Sequence, residues 1–373
     1  MRVLFLAMPP RSHLFPTVPL AWALRAAGHE VMVATAEDCL VATAAGLPVA
    51  NVAPGLDIIE VYRPVIQRHP EIIQPGHPAA RDLRNVALLF GAMNAALAPG
   101  IAQCARQWRP DLVVHETFAA SGGLVAAMLG VPSIQFDFML ADMTGIPEAV
   151  VAGMGASAEL NFRVDQPAPP AAVLDVAPPS MMPPRTESWA MRYVPYGGGL
   201  TVPGWLMDEP GRSRIVVTAG TTQRGPGALP RILEILADLD AEVLVAGPPA
   251  TTEGLGQLPQ NVRAAEWLPL PELLPSCAAI IHHGGAGTLF AALLSGTPQL
   301  LLPEVVDRFI NADAVRARGV GLATTIDQLD AGMVDRLLHD RAISTATAEV
   351  QAEIQARPSP VQLVKRLEAL VQV

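Results

Sequence analysis

The stretch Cys277-Ala-Ala-Ile-Ile-His-His-Gly-Gly-Ala-Gly-Thr-Leu-Phe-Ala-Ala-Leu-Leu-Ser-Gly-Thr-Pro-Gln-Leu-Leu-Leu-Pro303 decides how the chain is read. Ala278 to Ile281 is an apolar run too short for a helix and followed by a glycine-rich turn, which marks a buried strand. Leu289 to Leu294 reads as helix, stopped by Ser295-Gly296 with Pro298 just beyond. Gln299 to Leu302 is the next apolar strand. The unit is βαβ, and the turn His283-Gly-Gly-Ala-Gly-Thr288 joins strand end to helix start. Such a turn presents backbone N–H groups at the positive end of a helix dipole, where an anion, most often a phosphate, is stabilised.

The glycines alone leave a phosphate site and a tight structural turn equally open, because the third glycine of a dinucleotide fingerprint is missing. The histidine pair narrows the choice. Neighbouring strand residues point to opposite faces, so only one of His282 and His283 can readily join an anion site. A second polar cluster, Asp307-Arg308 to Asn311, follows the next strand. In an open α/β sheet both clusters lie at the carboxyl ends of strands, where ligands bind.

Taken as an ordered set, Trp267-Leu-Pro269, His282 to Thr288, Gly296-Thr-Pro298, and Pro303 with Asp307-Arg308 resemble the nucleotide-sugar signature of family 1 glycosyltransferases. The type is that of actinobacterial enzymes that decorate antibiotics and other polyketides. The resemblance implies an α/β protein of GT-B architecture, two Rossmann-like domains facing across a cleft.

Bulk properties agree. A chain of 373 residues, 51% hydrophobic and 16% charged, suits two α/β domains with sizeable cores. A formal charge of −10 argues against a polyanion-binding surface, and the few aromatics against stacking platforms for single-stranded nucleic acid. Cys39, Cys104 and Cys277 are widely spaced and suggest buried thiols in a cytoplasmic protein rather than disulfides or zinc. Met1 to Ala7 is too short for a secretion signal, and no apolar run reaches membrane-spanning length.

In order along the chain, Val3 to Ala7 is a strand, Val18 to Ala27 a helix and Glu30 to Ala34 a second strand. Val52 to Ala80, rich in proline, reads as an irregular acceptor-facing insertion. Asp82 to Gln107 reads as helix with a core-packed stripe around Met93. Asp111 to Glu116 and Val131 to Asp137 are strands ending in carboxylates, and Val173 to Val176 a short strand. The first domain is placed at residues 1–200, the linker near Tyr196 to Gly211, and the second domain at 211–356. By resemblance, the amphipathic tail 361–373 returns to the first domain.

Transfer from a nucleotide sugar needs a base for the acceptor, stabilisation of the leaving diphosphate, and a grip on the sugar. A lone loop histidine is more often solvated, but Ser12-His-Leu-Phe-Pro16 resembles the family's base segment, with Ser12 where glycine is common. His13 is therefore the expected base, and Glu116 matches the carboxylate that orients it. Asp137 is the competing base, and His115 is expected to pack as a strand histidine. The resemblance assigns donor binding to Gly220, Thr221, Trp267, Leu268, His283, Gly285, Ala286, Gly287, Thr288, Asp307 and Arg308. Arg308 replaces the usual Gln and cannot accept a hydrogen bond, which is compatible with a deoxysugar donor. Asp238-Leu-Asp240 precedes a strand, at the wrong end for the cleft, so no metal and no cofactor is expected.

The reading is an inverting glycosyltransferase that moves a sugar from a dTDP donor to a hydrophobic natural product such as a polyketide. No nucleic-acid partner is expected, and a homodimer is compatible. A nucleotide-sugar epimerase and a non-catalytic nucleotide-binding accessory protein are the alternatives; an NAD dehydrogenase is disfavoured by the missing third glycine.

Overall fold

The computed structural model describes residues 1–74, 77–164, 166–182, 187–220, 227–247, 255–265, 268–305 and 307–371. The first sheet contains β1 (Arg2–Leu6), β2 (Glu30–Thr35), β3 (Val49–Asn51), β4 (Leu112–Glu116), β5 (Ser133–Asp137), β6 (Ala172–Asp175) and β7 (Ser188–Ala190), in the order β3-β2-β1-β4-β5-β6-β7. The second contains β8 (Ser213–Thr218), β9 (Ala241–Ala246), β10 (Val262–Ala265), β11 (Ala279–His282), β12 (Gln299–Leu301) and β13 (Gly321–Ala323), in the order β10-β9-β8-β11-β12-β13. Every described pairing is parallel. Parallel sheets are covered on both faces, which is why the central strands read as unbroken apolar runs. Val3 to Leu6 and Ala279 to Ile281 are all buried.

The edge strands β3, β7 and β13 have no counterpart in the sequence reading. Each is three residues long and of mixed polarity, too short to show a period. The supposedly irregular stretch Val52 to Ala80 contains a helix, Ile58–Arg68, with Pro64 inside it. Asp57 caps that helix, its carboxylate accepting the amides of Ile59 and Glu60, which supports the first turn.

Leu83–Trp108 is a 26-residue helix whose most apolar window has a mean hydropathy of 1.5, long and apolar enough to cross a bilayer. Asn85 and Asn94 break its apolar run, so the sequence shows it as a helix with a packed stripe and not as one long apolar segment. In this fold Ala87, Phe90, Met93, Leu97, Ile101 and Ala105 on it are core residues.

The chain divides into two compact units. The first comprises Met1–Ala177, Pro184–Val194 and Arg357–Val373; the second comprises Pro178–Pro183 and Pro195–Ala356. The unit boundary thus differs from a single run over 1–200. Pro178–Pro183 groups with the second unit, where the Ser180 hydroxyl accepts Arg318 and its amide donates to Glu353. The last helix, Pro360–Val371, packs against helix Val18–Ala26 of the first unit and buries Leu363, Val364 and Leu367. His29 Nε2 lies 2.9 Å from Glu368, and the Arg366 guanidinium sits 3.8 Å over the Trp189 ring.

Candidate active site

In the first sheet the strand order reverses between β1 and β4, and a crevice opens at the carboxyl ends of two such strands. The register pairs Leu6 with His115, so Glu116 ends β4 level with the start of the turn after β1. That turn leads into a short helix, Arg11–Leu14, which carries His13. His13 Nδ1 lies 3.3 Å from Glu116 Oε1, within ion-pair distance but turned so that it makes no aligned hydrogen bond.

The turn is held by buried side chains from three other segments. Thr35 Oγ1 donates to the Ala7 carbonyl (2.9 Å), Cys39 Sγ to those of Pro9 (2.9 Å) and Met8 (3.1 Å), and the Met8 amide donates to Glu116 Oε1 (3.4 Å). Glu116 Oε2 also accepts the Phe118 amide at 2.8 Å. Glu116 is fully buried and fixed on both oxygens. Around the imidazole stand three phenylalanines, with ring centroids at 5.1 Å (Phe90), 5.6 Å (Phe138) and 5.8 Å (Phe118). Burial first, and then the charge of Glu116, hold the Tyr62 phenol above its ordinary range.

His115 is buried against the helix that follows, where a Cβ on Gly122 would run into its ring. Burial lowers its pKa to about 4, so it is a neutral packing residue on the face opposite Glu116. Asp137 ends β5, one strand further from β1, and its Oδ1 accepts the Met139 amide at 3.2 Å.

The second sheet reverses between β8 and β11. His282 pairs with Thr218 and Leu301 in register, and its side chain points into the interior. Its Nδ1 accepts the Gly284 amide (3.1 Å), so the proton sits on Nε2 and points to Gln299 Oε1 (3.0 Å). With its pKa lowered by burial to about 4, His282 is a neutral staple beneath the turn.

His283 projects the other way. Its ring is pressed between Gly220 and Gly285, so that a Cβ on either would collide with it. Gly220 also has φ +77, a conformation that any other residue adopts only under strain. His283 Nδ1 is buried and has no hydrogen-bond partner among the described residues. Burial, then the charges of Arg308 and His282, hold the imidazole well below its usual pKa, with the Thr218 carbonyl opposing, so it is neutral near pH 7.

Gly285 precedes the ten-residue helix Ala286–Ser295, whose first turn has neither a side-chain cap nor an acidic residue. The N–H groups there have no intrahelical partner and, with the unpartnered imidazole beside them, suit a phosphate. The Asn311 side chain holds the turn by donating to the Gly284 carbonyl at 2.8 Å.

Asp307 and Arg308 open the helix Asp307–Arg318. Arg308 lies against Gly284, with Nη1 3.6 Å from Glu304 and the side chain only 15% exposed. The cation therefore stands beside the anion-binding turn, not out on the surface. Leu268 is half-buried and packs against the core around Val216 and Ile280. Thr221 and Trp267 lie outside the described residues. Asp240 immediately precedes β9, at the end of the sheet away from this turn.

The first-unit histidine and glutamate are thus brought together, and the second-unit turn residues converge around His283. The phenylalanines about His13 were missed from sequence, although Phe118 and Phe138 each follow a strand-terminal carboxylate by one or two positions. Phe90 carried no such signal.

Two parallel α/β sheets of this design define a GT-B glycosyltransferase. The crystal structure of the glycosyltransferase SnogD from Streptomyces nogalater superposes with a TM-score of 0.85 at 35% identity, over 100% of this chain and 99% of that one. The glycosyltransferase SsfS6 from Streptomyces sp. SF2575, complexed with thymidine diphosphate, superposes with a TM-score of 0.84 at 32% identity over 99% of each chain. The chain belongs to the family of erythromycin biosynthesis protein CIII-like enzymes, whose N-terminal domain matches residues 22–220 and whose C-terminal domain matches residues 230–370. Among its relatives, the elloramycin glycosyltransferase ElmGT of Streptomyces olivaceus is 38% identical over 98% of this chain and 97% of its own.

Proposed function

We propose that this glycosyltransferase moves a deoxysugar from a dTDP donor to a hydroxyl of a hydrophobic natural product, with inversion and without a metal ion. The observation that carries the reading is the juxtaposition of His13 and buried Glu116, 3.3 Å apart, inside an apolar aromatic surround. With Nδ1 turned to the carboxylate, His13 Nε2 is the atom that accepts the acceptor's proton. The acceptor oxygen forms its bond to the sugar C1 as the C1–O bond to the diphosphate breaks, and that electron pair leaves on the β-phosphate. One displacement inverts the anomeric centre. Glu116 supports the imidazolium that forms, as a buried acid partner does elsewhere.

On the donor side, the first turn of Ala286–Ser295, Gly285, Gly220 and the neutral N–H of His283 receive the diphosphate, and Arg308 supplies the full positive charge. Thr288 adds a hydroxyl, Asp307 grips sugar hydroxyls, and Thr221, Trp267 and Leu268 complete the site as the resemblance assigns them. The donor is read as dTDP-linked from the family signature, and SsfS6, 32% identical, binds thymidine diphosphate. Arg308, a donor-only side chain where an amide is usual, favours a sugar lacking a hydroxyl.

The test is a set of single-turnover rates with dTDP affinity measured alongside. His13→Ala is expected to lose about 10²–10⁴-fold in transfer, as for removal of a general base, with dTDP binding retained. Glu116→Gln should show a smaller loss, and Asp137→Asn an active enzyme. A dead Asp137→Asn beside an active His13→Ala would transfer the role to Asp137.

A further inference from the structure

Asn94 is a fully buried amide in the middle of the apolar stripe of helix Leu83–Trp108, flanked there by Phe90, Met93 and Leu97. Asparagine is a weaker helix former than leucine or alanine, and burying its amide costs free energy unless every polar atom is paired. Here each is. Nδ2 donates to the carbonyls of Phe90 (2.7 Å) and Phe118 (2.8 Å), with Met8 Sδ at 3.5 Å, while Oδ1 accepts the amide (3.1 Å) and hydroxyl (2.7 Å) of Ser121. Carbonyls on one side and a backbone N–H on the other fix which way the amide points.

These partners are not scattered through the core. The Phe118 peptide is gripped from both sides, its carbonyl by Asn94 and its N–H by Glu116 Oε2. Glu116 Oε1 in turn faces His13 Nδ1. Phe90 and Phe118, whose backbones Asn94 ties together, stack at 4.3 Å and both contact the His13 ring.

We propose that Asn94 is a positioning residue for glycosyl transfer, locking Glu116 and the Phe90–Phe118 wall into one arrangement around His13. The inference rests on His13 being the base. Without Asn94 the segment Glu116 to Ser121 keeps its strand but loses the bonds to the Phe118 carbonyl and to Ser121. The carboxylate and the aromatic wall then drift independently. Among the described residues, the other titratable groups near this network include Tyr62 and Cys39, both held protonated by burial, His115, kept neutral by burial, and the Arg11–Asp38 ion pair.

The experiment compares the parent, Asn94→Ala, His13→Ala and the double variant in kcat, acceptor KM and dTDP affinity. Asn94→Ala is expected to lower kcat by about 10–100-fold, the scale of a misplaced reacting group, and to raise acceptor KM, with dTDP affinity unchanged. Added to His13→Ala, Asn94→Ala should cost nothing further, since it acts through that histidine.

A folded Asn94→Ala with parental kcat overturns the inference while a dead His13→Ala leaves the base reading standing. Equal proportional losses in both backgrounds also overturn it, since they denote general destabilisation. Parental turnover in His13→Ala overturns the base reading and this inference with it. If Asn94→Ala does not fold, Asn94→Ser and Ser121→Ala carry the same comparison.

Discussion

His283 and Arg308 stand beside the turn proposed to receive the diphosphate, and of these two Arg308 carries the full charge. Burial keeps His283 neutral, so under the proposed donor reading it would offer the diphosphate a directed N–H and no charge. His283→Ala is expected to remove most of the thermal stabilisation that dTDP confers, since a hydrogen bond to a charged group is worth about 1.5–3 kcal/mol. Arg308→Gln should instead change the ratio of kcat/KM between deoxysugar and hexose donors. An equal loss with every donor would assign Arg308 to the diphosphate. His115 and His282 make a different prediction. Both have folded pKa values lowered by burial to about 4, below the unfolded value, so between pH 6.5 and 4 the unfolded chain binds protons that the fold does not. Their contribution is complete above that window and is lost as pH falls through it, on the order of 3 kcal/mol each. The urea midpoint should therefore drop across it, and His282→Gln should flatten the drop; a variant with the parental pH slope would refute the linkage. The sequence pointed to His13 and Glu116 through the resemblance of Ser12 to Pro16 to the family's base segment, and to His283 through the βαβ turn; the structure places the first two 3.3 Å apart. Asn94 and Phe90 were not legible, because on a helix a lone amide and an aromatic stripe look the same whether they pack a core or frame a site.

At the scale of elements, the last helix tests how much one amphipathic stripe contributes. Leu363, Val364 and Leu367 are buried against the first unit, backed by the His29–Glu368 pair and by Arg366 over Trp189. Leu367→Ala should destabilise the protein by about 2–5 kcal/mol, the usual range for emptying a buried leucine site. Glu368→Gln, at a partly exposed ion pair, should cost no more than about 1 kcal/mol. Denaturant titration separates the two, and equal effects would mean that the helix is held by its charges. The central strands and the long helices could be read from hydrophobic period alone. Helix Ile58–Arg68 escaped because Pro64 reads as a breaker, yet the Asp57 cap supports its first turn. The edge strands β3, β7 and β13 escaped because partners, not sequence, define a three-residue strand.

For the whole molecule, a net charge of −10 coexists with a locally positive turn, where a helix terminus and Arg308 lie together. If those groups suffice for the leaving diphosphate, dialysis against EDTA should leave turnover at the parental rate. Loss of activity restored by Mg²⁺ would overturn the metal-free mechanism. The two-domain plan was legible from length and from the βαβ signature. The traffic of the chain between the units was not, because contacts such as Ser180 with Arg318 leave no mark on local composition. That traffic has a consequence for how the protein is made. The first unit needs Arg357–Val373 to be whole, whereas nearly all of the second is synthesised before that segment exists. On the ribosome the second unit can therefore finish folding first. Helix Val18–Ala26 waits with its docking face uncovered until that segment has been made, so a chain stalled or cut before it would expose that face to chaperones and proteases while still carrying an intact second unit.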